Sequence, residues 1–171
     1  MIEIATPEDI PALMKMINTA YRDPDSKKGW TTEAGIIQGG IRVDEAGLKG
    51  IIERDSAVLL KYTGDDHKIT GCVYLQNKPP RVYLGLLTVD PEIQAQGIGK
   101  KLLHAADEYA RQKQFTSIIL KVVSIRRELI EWYERNGYII TGEKEPFEAE
   151  ARYGTPVQPL ELIVMEKDLH R

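Results

Sequence analysis

The chain has little of what several classes of protein depend on, and cysteine is the first shortage. Cys72 is the single cysteine in 171 residues, which excludes an internal disulfide and is typical of a reducing compartment. No apolar run approaches the roughly 18–20 residues that span a bilayer. Glu3 and Glu8 also stand where a secretory signal would carry positive charge. We therefore expect a cytoplasmic protein with no membrane partner.

Positive charge and histidine are also scarce. The 23 Lys and Arg residues are outnumbered by 26 Asp and Glu residues, which gives a net charge of −3, so we expect no nucleic-acid partner. The three histidines do not combine with cysteine or carboxylates at a metal-ligand spacing, and we expect no metal site. At 42% apolar and 29% charged residues, the composition is that of a globular protein. We expect one domain over residues 1–171.

The most informative stretch lies between residues 84 and 103. An apolar segment ends at Asp90-Pro91, where proline stops a β-ladder because it has no N–H, and a helical period begins at Gly97. Backbone N–H groups at a helix start lack partners, and glycines there let a phosphate approach the main chain. Gly97 and Gly99 therefore favour pyrophosphate binding. A turn that only packs against a helix is the alternative, since the spacing matches neither G-x-x-x-x-G-K-[ST] nor G-x-G-x-x-G.

Two motifs connect this stretch to a known family. The first is Leu87-Thr88-Val89-Asp90-Pro91 followed by Gln94-x-x-Gly97-x-Gly99. It resembles motif A of the GNAT superfamily of N-acetyltransferases. The second is Trp132-Tyr133-Glu134-Arg135-Asn136-Gly137-Tyr138, which is similar to a run that ends a later helix in the same family. The two motifs and the segment between them span residues 84–141.

Hydrophobic periodicity alone predicts an α/β protein with one sheet. The resemblance implies a GNAT-like α/β sandwich: a mixed central sheet of roughly six to seven strands, flanked by helices and splayed at the acyl-CoA cleft. Locally, we expect an edge strand within Met1–Ala5 and a short helix from Thr32 through Ile37. Residues Gly142–Pro159 are expected to form a long loop.

The activity implied by the resemblance is that of an acetyl-CoA-dependent N-acetyltransferase. Such an enzyme moves an acetyl group directly from coenzyme A to a primary amine, here of a small molecule or a peptide. Ser124 stands where the family often has an asparagine near the acyl or pantetheine group. The other cofactor contacts that carry over are Leu87, Thr88, Val89, Gln94, Ala95, Gln96, Gly97, Ile98, Gly99, Lys100 and Tyr133.

Tyr133 is the candidate general acid, because it matches the tyrosine that protonates the departing thiolate in many family members. A phenol with a pKa near 10 keeps its proton at pH 7. The alternative is a core aromatic beside Leu129 and Trp132. Glu33 is the candidate general base, and an acid in the first turn of a helix is its alternative. Cys72 is expected to pack as a small hydrophobe rather than to carry an acyl group.

The acceptor is expected to lie between Arg22–Glu33 and Gly142–Pro159. The candidate residues at this site are Trp30, Glu33, Glu148 and Tyr153. Because the second segment holds more Glu than Lys and Arg, it favours a small cationic amine, unless its glutamates only form a solvated surface. Two other functions fit the sequence: a non-catalytic acyl-CoA sensor of the same fold, and a protein that binds another nucleotide. A monomer or a homodimer is expected.

Overall fold

The computed structural model of the chain describes residues 1–22, 32–33, 35–38, 40–93, 96–148 and 150–170. Four α-helices lie in these ranges: α1 (Ile10–Tyr21), α2 (Glu45–Glu53), α3 (Ile98–Gln112) and α4 (Arg127–Arg135). The strands there are β1 (Ile2–Ile4), β2 (Ile37–Gln38), β3 (Ala57–Thr63), β4 (Ile69–Lys78), β5 (Arg81–Val89), β6 (Ser117–Val123), β7 (Ile139–Pro146), β8 (Thr155–Pro156) and β9 (Glu161–Asp168).

Seven strands form one mixed sheet in the order β1-β3-β4-β5-β6-β9-β7. The β5–β6 pair is parallel, and the other neighbouring pairs are antiparallel. Side chains alternate between the two faces of a strand. In β4, Val73 and Leu75 pack with α3 and α4, whereas Cys72 and Tyr74 pack with α1 and α2. Helices therefore cover both faces, and the predicted α/β sandwich with a mixed sheet is confirmed.

Local signals start or end three of the helices. The carboxylate of Asp44 accepts a 2.7 Å hydrogen bond from the Gly47 N–H at the start of α2. Gly97 has φ 73° at the start of α3, and Gly137 has φ 96° just after α4. Both glycines lie in the left-handed region that other residues avoid. The main chain can therefore turn sharply just before α3 and just after α4.

Strands β5 and β6 separate soon after they begin. Their parallel pairing covers Arg81–Tyr83 and Ser117–Ile119. However, β5 continues to Val89 and β6 to Val123. The later residues of the two strands therefore diverge and leave a gap within the sheet, as the resemblance implies.

A β-bulge shapes the β5 side of this gap. Cys72 pairs with Thr88 and Tyr74 pairs with Gly85, so one residue of β4 stands opposite two residues of β5, Leu86 and Leu87. Leu86 has φ 51°, a conformation that costs a non-glycine residue about 1–3 kcal/mol and that concentrates at functional sites. The bulge lies where the two strands have already separated.

The expected helix from Thr32 through Ile37 is wrong. Residues Ile37–Gln38 form β2, which pairs with β8. The Glu33 N–H bonds the Tyr21 carbonyl at 2.8 Å, and the Glu33 carbonyl accepts from the N–H groups of Ile36 and Ile37. These bonds make a turn that leads into a strand. The alternative interpretation of Glu33 as a helix first-turn acid is therefore wrong as well.

The expected loop over Gly142–Pro159 is also partly wrong. Strand β7 runs on to Pro146, and Lys144–Pro146 pair with Glu161–Ile163 of β9 after a register shift. Backbone hydrogen bonds hold this pairing, so it needs no apolar pattern in the sequence. The strand brings Phe147 and Glu148 to the edge of the gap between β5 and β6.

Candidate active site

The gap between the separated strands holds a cavity of about 630 Å³. Its walls are formed by Leu84–Leu87 of β5 and Leu120–Val123 of β6. Side chains from both helical layers complete the lining: Tyr21 from α1, Tyr133 from α4, and Arg42 and Asp44 ahead of α2. The cavity thus lies where the sheet is open and both layers reach the same space, a common place for a ligand site.

Hydrogen bonds hold the bulge in place at the cavity wall. The Tyr21 hydroxyl donates to the Leu87 carbonyl oxygen at 2.8 Å, and both groups are buried. The Thr88 hydroxyl donates to the Leu86 carbonyl oxygen at 2.9 Å, and the Cys72 thiol approaches the same oxygen at 3.6 Å. The carbonyl groups of both bulge residues are therefore occupied by partners from within the protein.

Tyr133 lines the cavity and is also part of the core. It is only 6% exposed, and its ring packs edge-on against Trp132 at 5.2 Å and Tyr138 at 5.6 Å between ring centroids. Burial raises the pKa of Tyr133 well above 10, and the neighbouring Tyr21 raises it further, whereas the charge of Arg126 opposes the rise. The two interpretations of this residue from sequence are compatible, and its hydroxyl is protonated at neutral pH.

Glu33 also lines the cavity, where its carboxylate pairs with Arg22. The Arg22 Nε lies 3.0 Å from Oε1 of Glu33, and both side chains are almost fully buried. A second nitrogen of Arg22 donates to the carbonyl oxygen of Tyr153. The fold therefore brings Glu33 and Tyr153 together through one guanidinium, and Glu148 lies on the same wall. Trp30 lies outside the described residues.

The start of α3 lies away from this wall. The Gly97 carbonyl accepts the first helical bond from the Lys101 N–H at 3.0 Å. A Cβ built on Gly97 would meet no atom within 4 Å, so a ligand can approach its main chain. Gln96, Gly97 and Lys100 are exposed, and Ile98 and Gly99 are buried. Gln94 and Ala95 lie outside the described residues.

Other predicted cofactor residues occupy different positions. Leu87 lines the cavity, but Thr88 and Val89 do not. The Thr88 side chain is fully buried and bonds the Leu86 carbonyl, so it is part of the core. Ser124 is not part of the cavity wall, and its backbone N–H donates to the Glu161 carbonyl at 2.8 Å.

The expected acidic cleft is wrong for the described part of the wall. Lys121 and Arg126 on the β6 side join Arg22 and Arg42 as cations, so four cations face four anions there. Two of the four glutamates of the 142–159 segment pair with cations: Glu145 with Lys121 at 2.9 Å, and Glu150 with Arg152 at 3.0 Å. A surplus of acidic residues along the sequence therefore does not give an acidic cavity wall, because the fold brings cations to the same wall.

Sequence reasoning missed Tyr21, Arg42 and Asn18. Tyr21 fits the apolar stripe of α1, and nothing in that stripe indicates that its hydroxyl reaches β5. Arg42 lies in an irregular segment, where hydrophobic periodicity gives no signal. Asn18 stands in the polar part of α1 and accepts hydrogen bonds from the N–H groups of Arg42 and Val43, at 2.8 and 3.0 Å. A helix-interior asparagine is a weak but usable hint of such a contact.

The comparisons with known proteins agree with this geometry. A family model described as acetyltransferase (GNAT) family matches residues 12–138. The chain belongs to the GNAT acetyltransferase family. As a family member it is an acetyltransferase that uses acetyl-CoA. No curated protein sequence matches the chain.

Three solved structures illustrate the shared GNAT fold. The ribosomal-protein-S18-alanine N-acetyltransferase from Escherichia coli is 16% identical with a TM-score of 0.72, over 99% of this chain and 93% of that one. The ribosomal-protein-alanine N-acetyltransferase from Brucella melitensis is 22% identical with a TM-score of 0.73, over 98% and 99%. The PaiA N-acetyltransferase from Thermoplasma acidophilum, solved with coenzyme A, is 18% identical with a TM-score of 0.69, over 98% of each chain.

The described residues contain no group of three or more His, Cys, Asp or Glu side chains that could hold a metal ion. None of their helices is both long enough and apolar enough to cross a membrane.

Proposed function

We propose that this GNAT acetyltransferase moves an acetyl group directly from acetyl-CoA to a primary amine of a small molecule or peptide. One observation carries the proposal: β5 and β6 part after three paired residues, and Tyr133 and the Leu86–Leu87 bulge line the cavity that opens between them. The separated strands and the open helix start fit an acyl-CoA, which needs an extended groove and an anion site.

Binding divides between two parts of the fold. The main chain of β5 beyond Tyr83, which has left β6, is proposed to pair with the amide groups of pantetheine as an added strand would. Backbone N–H groups over residues 94–100 are proposed to hold the pyrophosphate, with Gly97 and Gly99 keeping the approach clear of side chains. We place Ser124 near the acyl or pantetheine group, although it lies outside the cavity wall.

The proposed chemistry is direct transfer. Acetyl-CoA supplies the acetyl group as an activated thioester. A main-chain N–H near Leu87–Val89 would stabilise negative charge on the carbonyl oxygen as the amine attacks. The C–N bond forms and the C–S bond breaks, and Tyr133 gives a proton to the departing sulfur. The amine nitrogen loses a proton, and Glu33 accepts it directly or through water.

The environment of Tyr133 limits how it can act. Because burial disfavours the phenolate, a lasting negative charge on Tyr133 is costly. The proton it gives up must therefore be replaced promptly. An acceptor that binds as an ammonium loses two protons on its way to the amide, and the one that Glu33 does not take replaces the proton of Tyr133. The positive charge of Arg126 favours the same transient phenolate. We therefore propose that Tyr133 donates its proton late, as the C–S bond breaks.

The proposed acceptors include both small molecules and peptides. Two similar structures are named for alanine acetylation on ribosomal protein, which supports including peptide N-termini among the acceptors. We place Trp30, Glu148 and Tyr153 at the acceptor site with Glu33. The single buried cysteine is compatible with the proposed cytoplasmic location, and we propose a monomer or a homodimer.

The decisive experiment combines binding and turnover. Acetyl-CoA at a hundred times its Kd should add about 2.7 kcal/mol to the free energy of unfolding and so raise the melting temperature. ATP should leave the melting temperature unchanged. Release of free thiol with a panel of amines, followed by mass analysis of the acetylated product, then tests transfer. Binding of acetyl-CoA without thiol release from any amine would favour the non-catalytic sensor. Binding of ATP without binding of acetyl-CoA would reject both the acetyltransferase and the sensor.

A further inference from the structure

Most charged side chains of the cavity wall already have partners of opposite charge. The pairs are Arg22 with Glu33 at 3.0 Å, Lys121 with Glu145 at 2.9 Å, Asp44 with Arg152 at 3.0 Å and Glu150 with Arg152 at 3.0 Å. Arg42 differs from the cations in these pairs. Within the described residues its guanidinium pairs with no carboxylate, and its contact there is with the ring of Tyr21, 5.2 Å from Cζ to the centroid.

The position of Arg42 is fixed from its main chain. Asn18 accepts hydrogen bonds from the N–H groups of Arg42 and Val43 at 2.8 and 3.0 Å, and it donates to the Val43 carbonyl at 3.0 Å. This clamp joins the segment before α2 to α1. The stacking on Tyr21 then orients the guanidinium, so less freedom is lost when a ligand binds.

Arg42 stands one tyrosine ring away from the bulge. The ring beneath its guanidinium belongs to Tyr21, whose hydroxyl bonds the Leu87 carbonyl at 2.8 Å. Its positive charge also acts on Tyr83, where it opposes the rise in pKa that burial causes. Arg42, Tyr21 and Tyr83 all line the cavity. A ligand group bound by Arg42 would therefore lie in the same cavity as the bulge and Tyr133.

The chemistry of this guanidinium selects an anion. Arginine presents about five N–H donors and no acceptor, and its planar fork matches a carboxylate with two parallel hydrogen bonds. We propose that Arg42 binds the carboxylate of an acceptor that carries its amine and its carboxylate on one small molecule, such as an amino acid. The inference rests on the proposed acetyl transfer and replaces the small cationic amine expected from the sequence.

The test compares each L-amino acid with its carboxamide, which keeps the amine and the side chain but removes the negative charge. For the best acceptor, kcat/KM for the carboxylate should exceed that for the carboxamide at least about tenfold. Arg42→Gln should lower the carboxylate value by about 10–100-fold and change the carboxamide value less than about threefold. Arg42→Lys should fall between, because it keeps the charge but loses the fork.

Control measurements distinguish acceptor binding by Arg42 from an effect on protein stability and from a nonspecific effect of positive charge. Lys113→Gln removes a cation that also stacks on a tyrosine, at 5.3 Å from the Tyr109 ring, but outside the cavity, and it should leave both acceptor forms unchanged. The KM for acetyl-CoA should not move in Arg42→Gln. Equal rates with the two acceptor forms, an equal loss with both, or a raised KM for acetyl-CoA would each overturn the proposal.

A second readout keeps the inference distinct from the proposed function. Calorimetry should detect amino acids binding to the protein saturated with coenzyme A, and Arg42→Gln should weaken that binding about 10–100-fold. If acetyl-CoA fails to bind, or no amine releases thiol, the proposed function fails. If coenzyme A does not bind, the amino-acid titration is made without it on the native protein and on Arg42→Gln. Equal amino-acid affinity in these two proteins would reject the carboxylate site.

Discussion

The hydroxyl of Tyr21, at the end of α1, donates a buried 2.8 Å hydrogen bond to the carbonyl oxygen of Leu87 in β5. It joins a helix on one face of the sheet to the bulge that shapes the cavity. The Leu86 carbonyl beside it is held by Thr88, at 2.9 Å. A strained bulge persists only when its surroundings hold it in place, and these two bonds are part of that support.

Tyr21→Phe should therefore weaken both the fold and cofactor binding. The Leu87 carbonyl would stay buried without this donor, which costs about 1–3 kcal/mol, and each kcal/mol lowers the melting temperature of a domain this size by about 2–4 °C. A raised KM for acetyl-CoA should accompany the loss, measured by thiol release.

The matched control for that variant is Tyr109→Phe. It removes a 2.7 Å bond from a tyrosine hydroxyl to Asn77, away from the cavity. This variant should lose some stability and keep the KM for acetyl-CoA. If Tyr21→Phe behaves in the same way, the bond to Leu87 supports the fold but not the site.

Gly97→Ala should reduce acetyl-CoA affinity without any steric clash. Gly97 has φ 73° and open space around a built Cβ, so the substitution costs only the strain of the left-handed conformation, about 1–2 kcal/mol. That strain would tilt the first N–H groups of α3. Gly142 offers a matched control, with φ 96° and open space.

The melting temperature should fall by a similar amount in both glycine variants. The affinity for acetyl-CoA, measured by calorimetric titration, should fall only in Gly97→Ala. Equal affinity in the two variants would contradict pyrophosphate binding at the start of α3. Gly99→Asp, which puts a carboxylate at the same helix start, should abolish binding.

Tyr133→Phe should lower kcat by about 10²–10⁴-fold and leave the affinity for acetyl-CoA nearly unchanged. Stability should change little, because no described residue hydrogen-bonds its hydroxyl. Tyr138→Phe is the control: it removes the hydroxyl of the adjacent ring, which lies 5.6 Å away between centroids and outside the cavity wall. Full turnover in Tyr133→Phe would leave Tyr133 as a core aromatic alone.

The pH dependence of kcat gives a separate check on Tyr133. The active form of a general acid is protonated, and a raised pKa extends that form to higher pH. Because burial raises the pKa of Tyr133 well above 10, kcat should show no decline from this residue between pH 8 and 10. A decline that is present in the native protein and absent in Tyr133→Phe would contradict the assignment.

The sequence could predict the features that depend on neighbours along the chain. The strand end before Asp90-Pro91 and the start of the α3 period after Gly97 are local, and motif A places both of them in a family. The Leu86–Leu87 bulge could not be predicted, because it depends on the register between β4 and β5. The end of β7 was missed because Lys144–Pro146 are held in the sheet by backbone bonds to β9 rather than by an apolar pattern.

The charged side chains show the same limit of prediction from sequence more clearly. Glu145 and Glu150 add to an acidic segment when counted along the chain, yet their partners are Lys121 from β6 and Arg152. Arg42, which has no such partner in the described residues, gives no signal in the sequence. What a cavity can bind is set by the charges that remain after the fold has paired the others, and tertiary contacts decide those pairs.

Glu33→Gln and Arg22→Gln together test the proposed base. Either substitution breaks the buried 3.0 Å ion pair and leaves a polar or charged group without its partner, which costs about 3–5 kcal/mol. Both proteins should therefore melt at lower temperature, and an excess of the substrate acetyl-CoA keeps them folded for assay. They differ in chemistry, because only Arg22→Gln keeps the carboxylate. If Glu33 accepts the amine proton, Glu33→Gln should lose about 10²–10⁴-fold in kcat per folded molecule, whereas Arg22→Gln should retain most of its turnover. Equal losses in the two variants would show that the ion pair matters only for the shape of the cavity, and the base would then have to be sought elsewhere.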